Sequence, residues 1–157
     1  MNETIKSRLE RLGVALTPQP APKHSYAAAV ADGDVLYLSG KVAMRDGAIA
    51  VSGRLETAED VDRGREAARI CAVNLLSELD QAVGLENVKG LLKLTGYVAS
   101  GPDFFQQPQV VNAASELMLE VLGEAGTHAR SAVGVASLPS NTSVELDLVA
   151  KIGGGGR

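Results

Sequence analysis

The stretch Val144-Glu145-Leu146-Asp147-Leu148-Val149-Ala150-Lys151-Ile152 decides the fold. Apolar Val144, Leu146, Leu148, Ala150 and Ile152 alternate with Glu145, Asp147 and Lys151. A period of two puts one set on a covered sheet face and the other on the opposite face. Upstream, Ser131 to Ser137 also reads as a strand, and Leu138-Pro139-Ser140-Asn141 reads as a turn. These segments predict a hairpin. With the turn centred near Ser140, Arg130 falls opposite Ala150 and Glu145 opposite Val135. That separates Arg130 from Glu145 by about five residues, roughly 17 Å of strand. Sharing one small ligand would then require a bend or a neighbouring subunit.

Working outward, Val111, Ala114, Leu117, Met118, Val121 and Leu122 form the apolar stripe of a helix. Pro108 suits its first turn, and Gly123 and Gly126 stop it. Leu91 to Ser100 reads as a strand. A longer helix precedes it: Thr57 is the N-cap, Asp60 holds the capping-box position, and Gly84 ends the helix. Its stripe is Val61, Ala68, Cys71, Ala72, Leu75, Leu79 and Val83. Earlier still, Ser25 to Ala31 and Asp34 to Gly40 read as strands joined at Asp32-Gly33. Asp46-Gly47 is a further turn, with a short strand at Ala48–Val51. Residues 3–12 read as an amphipathic helix, and Thr17 to Pro22 as a stiff linker. The expected organisation is residues 1–23 as helix and linker, 24–152 as one α+β domain, and 153–157 as a glycine-rich tail. Two long helices would cover one face of a mixed sheet, leaving the other semi-polar or packed on another subunit.

Composition narrows the function. The chain has 157 residues, 45% of them hydrophobic and 22% charged, as in an ordinary globular domain. It has no apolar run long enough for a membrane span and no apolar signal core at its start, so a cytoplasmic location is expected. Net charge is −4, which is poor material for a nucleic-acid surface. Three tyrosines, two phenylalanines and no tryptophan offer no base-stacking platform. One cysteine, Cys71, excludes an intrachain disulfide, and its place in the helix stripe reads as inert core. His24 and His128 lie in no metal-ligand spacing, so neither a metal nor another cofactor is expected.

Three segments resemble the RidA/YjgF family. The first is His128-Ala129-Arg130-Ser131-Ala132-Val133-Gly134-Val135-Ala136-Ser137-Leu138-Pro139, followed by Val144-Glu145-Leu146-Asp147. It is similar to the family's Ala-Arg-Ser start, Leu-Pro turn and acidic residue in an apolar last strand. The second is Ser25-Tyr26 with Val35-Leu36-Tyr37-Leu38-Ser39-Gly40, and the third is Asn112 in the second long helix. The resemblance implies a chorismate-mutase-like α+β fold, a homotrimer, and ligand pockets between subunits. It also implies hydrolysis of small 2-imino or enamine acids to 2-keto acids and ammonia. Departures mark a divergent sub-branch: His128 stands where proline is usual, Lys41 where glutamine is, Ala132 where cysteine is common, and Gly134 where an acidic residue is common.

Arg130 leads the candidates, because its planar fork fits a carboxylate in two charge-assisted bonds. Glu145 is next, since a carboxylate on an apolar strand needs a partner or a task; the task would be activating the attacking water. Ser39, Gly40, Tyr26, Asn112 and His128 are candidate ligand contacts. His128, two residues before Arg130, should point to the same side on an extended chain. Lys41 reads as exposed, or as added positive charge for an anionic ligand. The expected partner is a small anionic metabolite. Two alternatives remain open: a non-catalytic trimer that binds a small carboxylate, and an endoribonuclease.

Overall fold

The computed structural model describes residues 3–154. Its elements are α1 (Ile5–Leu12), β1 (Ala29–Asp32), β2 (Val35–Val42), β3 (Met44–Arg45), β4 (Ala48–Ile49), α2 (Val61–Val83), β5 (Val88–Ala99), α3 (Gln107–Leu122), β6 (Ala129–Val135) and β7 (Val144–Ile152). Five strands form one mixed sheet in the order β1-β2-β7-β5-β6, and β3 and β4 form a small ribbon. The fold is α+β, with both long helices on one face of the sheet. In β7 the alternation predicts the burial: Val144, Leu146, Leu148, Ala150 and Ile152 are buried, and the intervening residues are half-buried or exposed.

The expected hairpin does not form. β7 lies between β2 and β5, antiparallel to both. β6 instead runs parallel to β5 at the sheet edge, pairing Leu94 with Arg130 and Tyr97 with Val133. The β5-α3-β6 segment is a crossover unit, and its helix packs back on the sheet. Glu145 therefore lies opposite Val42 on one side and Tyr97 on the other, not opposite Val135. The physical reason is that a central strand gains ladder bonds along both edges, and the alternating β7 takes that place.

The first predicted strand also shifts. Only Ala29–Asp32 is paired, while Ser25 to Ala28 stay outside the ladder. Residues 3–12 form α1 from Ile5, and the Thr4 hydroxyl accepts from Ser7 N–H as N-cap. Arg8 on α1 donates to Val121 O at the end of α3 (3.2 Å), where a cation meets unsatisfied carbonyls. Of the glycine tail, Gly153 is tied by its N–H to Asn87 O (2.8 Å), and residues 155–157 lie outside the described ones. Gly96 on β5 lets α3 approach closely: a Cβ there would sit 2.5 Å from Val111 Cγ2.

Before α2, a single 3-10 turn spans Ala58–Asp60. Thr57 is its N-cap and Asp60 holds the capping-box position, as the spacing predicts. Its carboxylate accepts from Glu56 N–H (2.7 Å) and Thr57 N–H (3.1 Å). Those two bonds and the Arg63 guanidinium hold its pKa down at about 2.

Candidate functional site

The structure gathers the candidate residues into two groups on opposite faces of the sheet. Arg130 shares its row with Leu94 and Leu148, which face the helices. Its side chain reaches α3 at the sheet edge. Nη1 donates to Asn112 Oδ1 (2.7 Å) and to Ser115 Oγ (3.2 Å), and Nη2 donates to Pro108 O (3.4 Å). All three acceptors are neutral. Among the described residues, no ion pair involves Arg130. Among the described residues Nη1 makes two of these bonds and Nη2 one, and Nε–H makes none. The Nε/Nη2 side of a guanidinium is an edge that a carboxylate can meet with two oxygens.

Beside this guanidinium is an open cavity of about 320 Å³, lined by Asn112, Ser115, Leu119, Thr127, His128 and Arg130. Asn112 and His128, both candidate ligand contacts, belong to this group. The sequence reading missed Ser115. Its signal was available in the spacing: Asn112 and Ser115 are three residues apart on α3 and so share a helix face.

The second group lies on the face away from the helices. Glu145 and Asp147 alternate with the buried residues of β7, and Tyr97 stands beside Glu145 on β5. The Tyr97 hydroxyl donates to Asp147 Oδ2 (2.9 Å), and this bond holds the phenol above its usual range. Burial, and secondarily the Asp147 charge, raises the pKa of Glu145 above the ordinary carboxylate value. Gly40 lies directly over the Glu145 side chain, and any Cβ on it would run into the carboxylate. The Ser39 hydroxyl is engaged elsewhere, donating to Ala27 O (2.6 Å). Tyr26 is 55% exposed, and among the described residues no side-chain hydrogen bond joins it to either group.

Two sheet spacings and three residues of stagger separate Arg130 from Glu145, roughly 14 Å between Cα positions. With the sheet between them, one copy of the chain cannot place both on one small ligand.

Lys41 is a correction. It is not exposed: its ammonium makes a 2.6 Å ion pair with Glu78 on α2, with side chains 14% and 5% exposed. The cause is a β-bulge. The β2–β7 register slips between Leu38 and Lys41, so β2 advances three residues while β7 advances two. That extra residue turns Lys41 from the open face to the helix face, opposite buried Leu146. Cys71 is fully buried in α2, its Sγ 3.4 Å from Val144 O, and burial pushes its thiol well above the usual range. Among the described residues, no cluster of three or more His, Cys, Asp or Glu could hold a metal, and no helix is long and apolar enough to cross a membrane.

A mixed sheet covered by two helices on one face, with an arginine held by neutral partners at its edge, defines an α+β protein with a candidate anion site. The chain belongs to the endoribonuclease L-PSP family, also known as YjgF/RidA, whose model matches residues 16–152. It is 39% identical over 150 residues to protein TCP17 of Trypanosoma cruzi, covering 94% of each chain. It is 42% identical to the crystal structure of Atu1372 from Agrobacterium tumefaciens, a protein of unknown function, with a TM-score of 0.86 over 95% of this chain and 92% of that one. A candidate endoribonuclease of Shewanella oneidensis superposes with a TM-score of 0.90 at 29% identity, over 96% of this chain and all of the other.

Proposed function

We propose that the chain hydrolyses small reactive 2-imino acids in a site shared between copies, Arg130 coming from one copy and Glu145 from another. The observation that carries this reading is the Arg130 guanidinium, held by the neutral oxygens of Asn112, Ser115 and Pro108 with no carboxylate to neutralise it. A substrate carboxylate would dock there. Water would add to the C=N carbon while Glu145 accepts its proton. The nitrogen is then protonated, the new hydroxyl gives up its proton as its C–O bond becomes C=O and the C–N bond breaks, and ammonia and a 2-keto acid leave. The substrate is already reactive, so orientation and charge placement supply most of the acceleration. A homotrimer, as the family resemblance implies, would close the gap between the two groups.

The test generates 2-iminobutyrate in situ and follows release of ammonia and keto acid. R130A and E145Q should each lose activity. Mixing the two variants under conditions that exchange subunits should restore about a quarter of the wild-type rate, the share of sites that randomly assembled cyclic oligomers build with both residues intact. Release unchanged by wild-type protein, or variants that lose nothing, would refute the reading. The separation of Arg130 from Glu145 within one chain favours a second reading, in which the protein binds a small carboxylate without turnover. It predicts that R130A loses binding while no rate enhancement exists. Ribonuclease activity, the reaction in the family's description, fits the acidic net charge poorly. RNA cut by the wild type and not by R130A would restore it.

A further inference from the structure

His128 precedes β6 by one residue and lies on the same side of the chain as Arg130. Its ring is held at both ends: Nδ1 is 2.6 Å from Gly126 O, and Nε2 is 2.9 Å from Ser115 Oγ. The same Ser115 oxygen is 3.2 Å from Arg130 Nη1. In a singly protonated ring, donor chemistry fixes the direction of each bond. A carbonyl only accepts, so Nδ1 carries the ring proton. A guanidinium only donates, so Ser115 Oγ accepts from Arg130. The single hydroxyl proton of Ser115 is then left to point at Nε2, which in this tautomer offers a lone pair. The anchor is itself constrained: Gly126 is buried, and a Cβ there would collide with the Met118 carbonyl. The position of Gly126 O is therefore set by backbone packing against α3.

We propose that His128 and Ser115 are positioning residues for Arg130, a relay from Gly126 O through the neutral imidazole and the hydroxyl that sets the guanidinium plane. The inference rests on the proposed carboxylate site. Asn112 and the relayed Ser115 oxygen both accept from Nη1, so the fork cannot rotate freely and its Nε–H keeps no partner among the described residues. A proline, usual at position 128 in the resembling family, has no ring nitrogen that could make this relay.

Nitrogen NMR of the histidine rings in the full-length protein reads the relay directly. The wild type should show His128 with its proton on Nδ1 and an unprotonated Nε2, and S115A should perturb that signature. Titration with 2-oxobutyrate reads its effect on the fork. S115A and H128N should weaken binding about threefold to tenfold, the worth of one hydrogen bond. Asparagine can still reach Gly126 O but presents no acceptor to Ser115. H128Q, whose amide oxygen can reach Ser115, should bind within about twofold of wild type, since it keeps that hydrogen bond. An Nε2–H tautomer in the wild type overturns the relay. So does unchanged affinity in S115A and H128N when R130A has lost binding. Should R130A bind as tightly as wild type, or the wild type not bind at all, the proposed function falls and this inference with it.

Discussion

Removing the carboxylate from the Lys41–Glu78 pair tests the sharpest energetic claim of the fold. The two charges are 2.6 Å apart between β2 and α2, and Glu78 is 5% exposed. At an effective dielectric of about 20 their attraction is roughly 6 kcal/mol, before the cost of taking each ion out of water. That desolvation cost is several kcal/mol per ion, so the pair as a whole nets little. Breaking it is different, because the surviving charge keeps its desolvation cost and loses its compensation. Glu78→Gln should therefore cost about 3 kcal/mol, the lower end of the usual range, because Lys41 is not fully enclosed and water reaches it in part. For a chain of this length that lowers Tm by about 6–12 °C. Replacing both residues with apolar ones, as in K41M/E78L, should recover most of the loss. Urea unfolding at fixed protein concentration measures wild type, Glu78→Gln, K41M, E78L and K41M/E78L, since any assembly would make stability concentration-dependent. A Glu78→Gln variant within about 1 kcal/mol of wild type would refute the argument. So would a double variant whose loss equals the sum of the two single losses, because contacting charges must couple.

Three other outcomes follow from the geometry. Gly96→Ala should destabilise by about 1–3 kcal/mol by overpacking β5 against Val111, measured by the denaturation midpoint; an unchanged midpoint would mean that α3 yields freely. Glu145 holds its proton more tightly in the folded protein than in the unfolded chain, so its ionisation lowers stability as pH rises through the window just above 4.5. E145Q should accordingly unfold at a higher temperature than wild type at pH 7 while losing about 100-fold or more of any deaminase rate. A lower unfolding temperature, or full activity, would contradict the placement of that carboxylate. Asp60 has the opposite sign: its pKa falls from 3.8 to about 2, so its contribution is complete above the higher value and is lost as pH drops through the lower one. Acid titration of D60N should show a shallower loss of stability across that interval, and identical slopes would remove Asp60 from the capping of this turn.

Much of the molecule is legible in local pattern. The period of two in Val144–Ile152 marks a strand buried on one face, and the stripes of Val61–Val83 and Gln107–Leu122 mark helices that must cover that face, because these periodicities follow from backbone geometry alone. The same alternation already separates Arg130 from Glu145: even the mistaken hairpin register sets them on opposite faces, since 130 pairs with 150 and 145 with 135. Strand neighbours are another matter. Nothing local distinguishes β6 paired to β7 from β6 laid parallel to β5, because ladder bonds join any two backbones and the choice depends on which arrangement fills both edges of β7. The bulge after Leu38 is equally silent in the sequence, yet it inverts every face assignment beyond it and carries Lys41 from solvent to Glu78. Ser115 gained its place beside Arg130 only when the crossover set α3 over the sheet edge. Residue spacing gave each side chain its face, and the non-local backbone pairing chose the neighbour each one meets there.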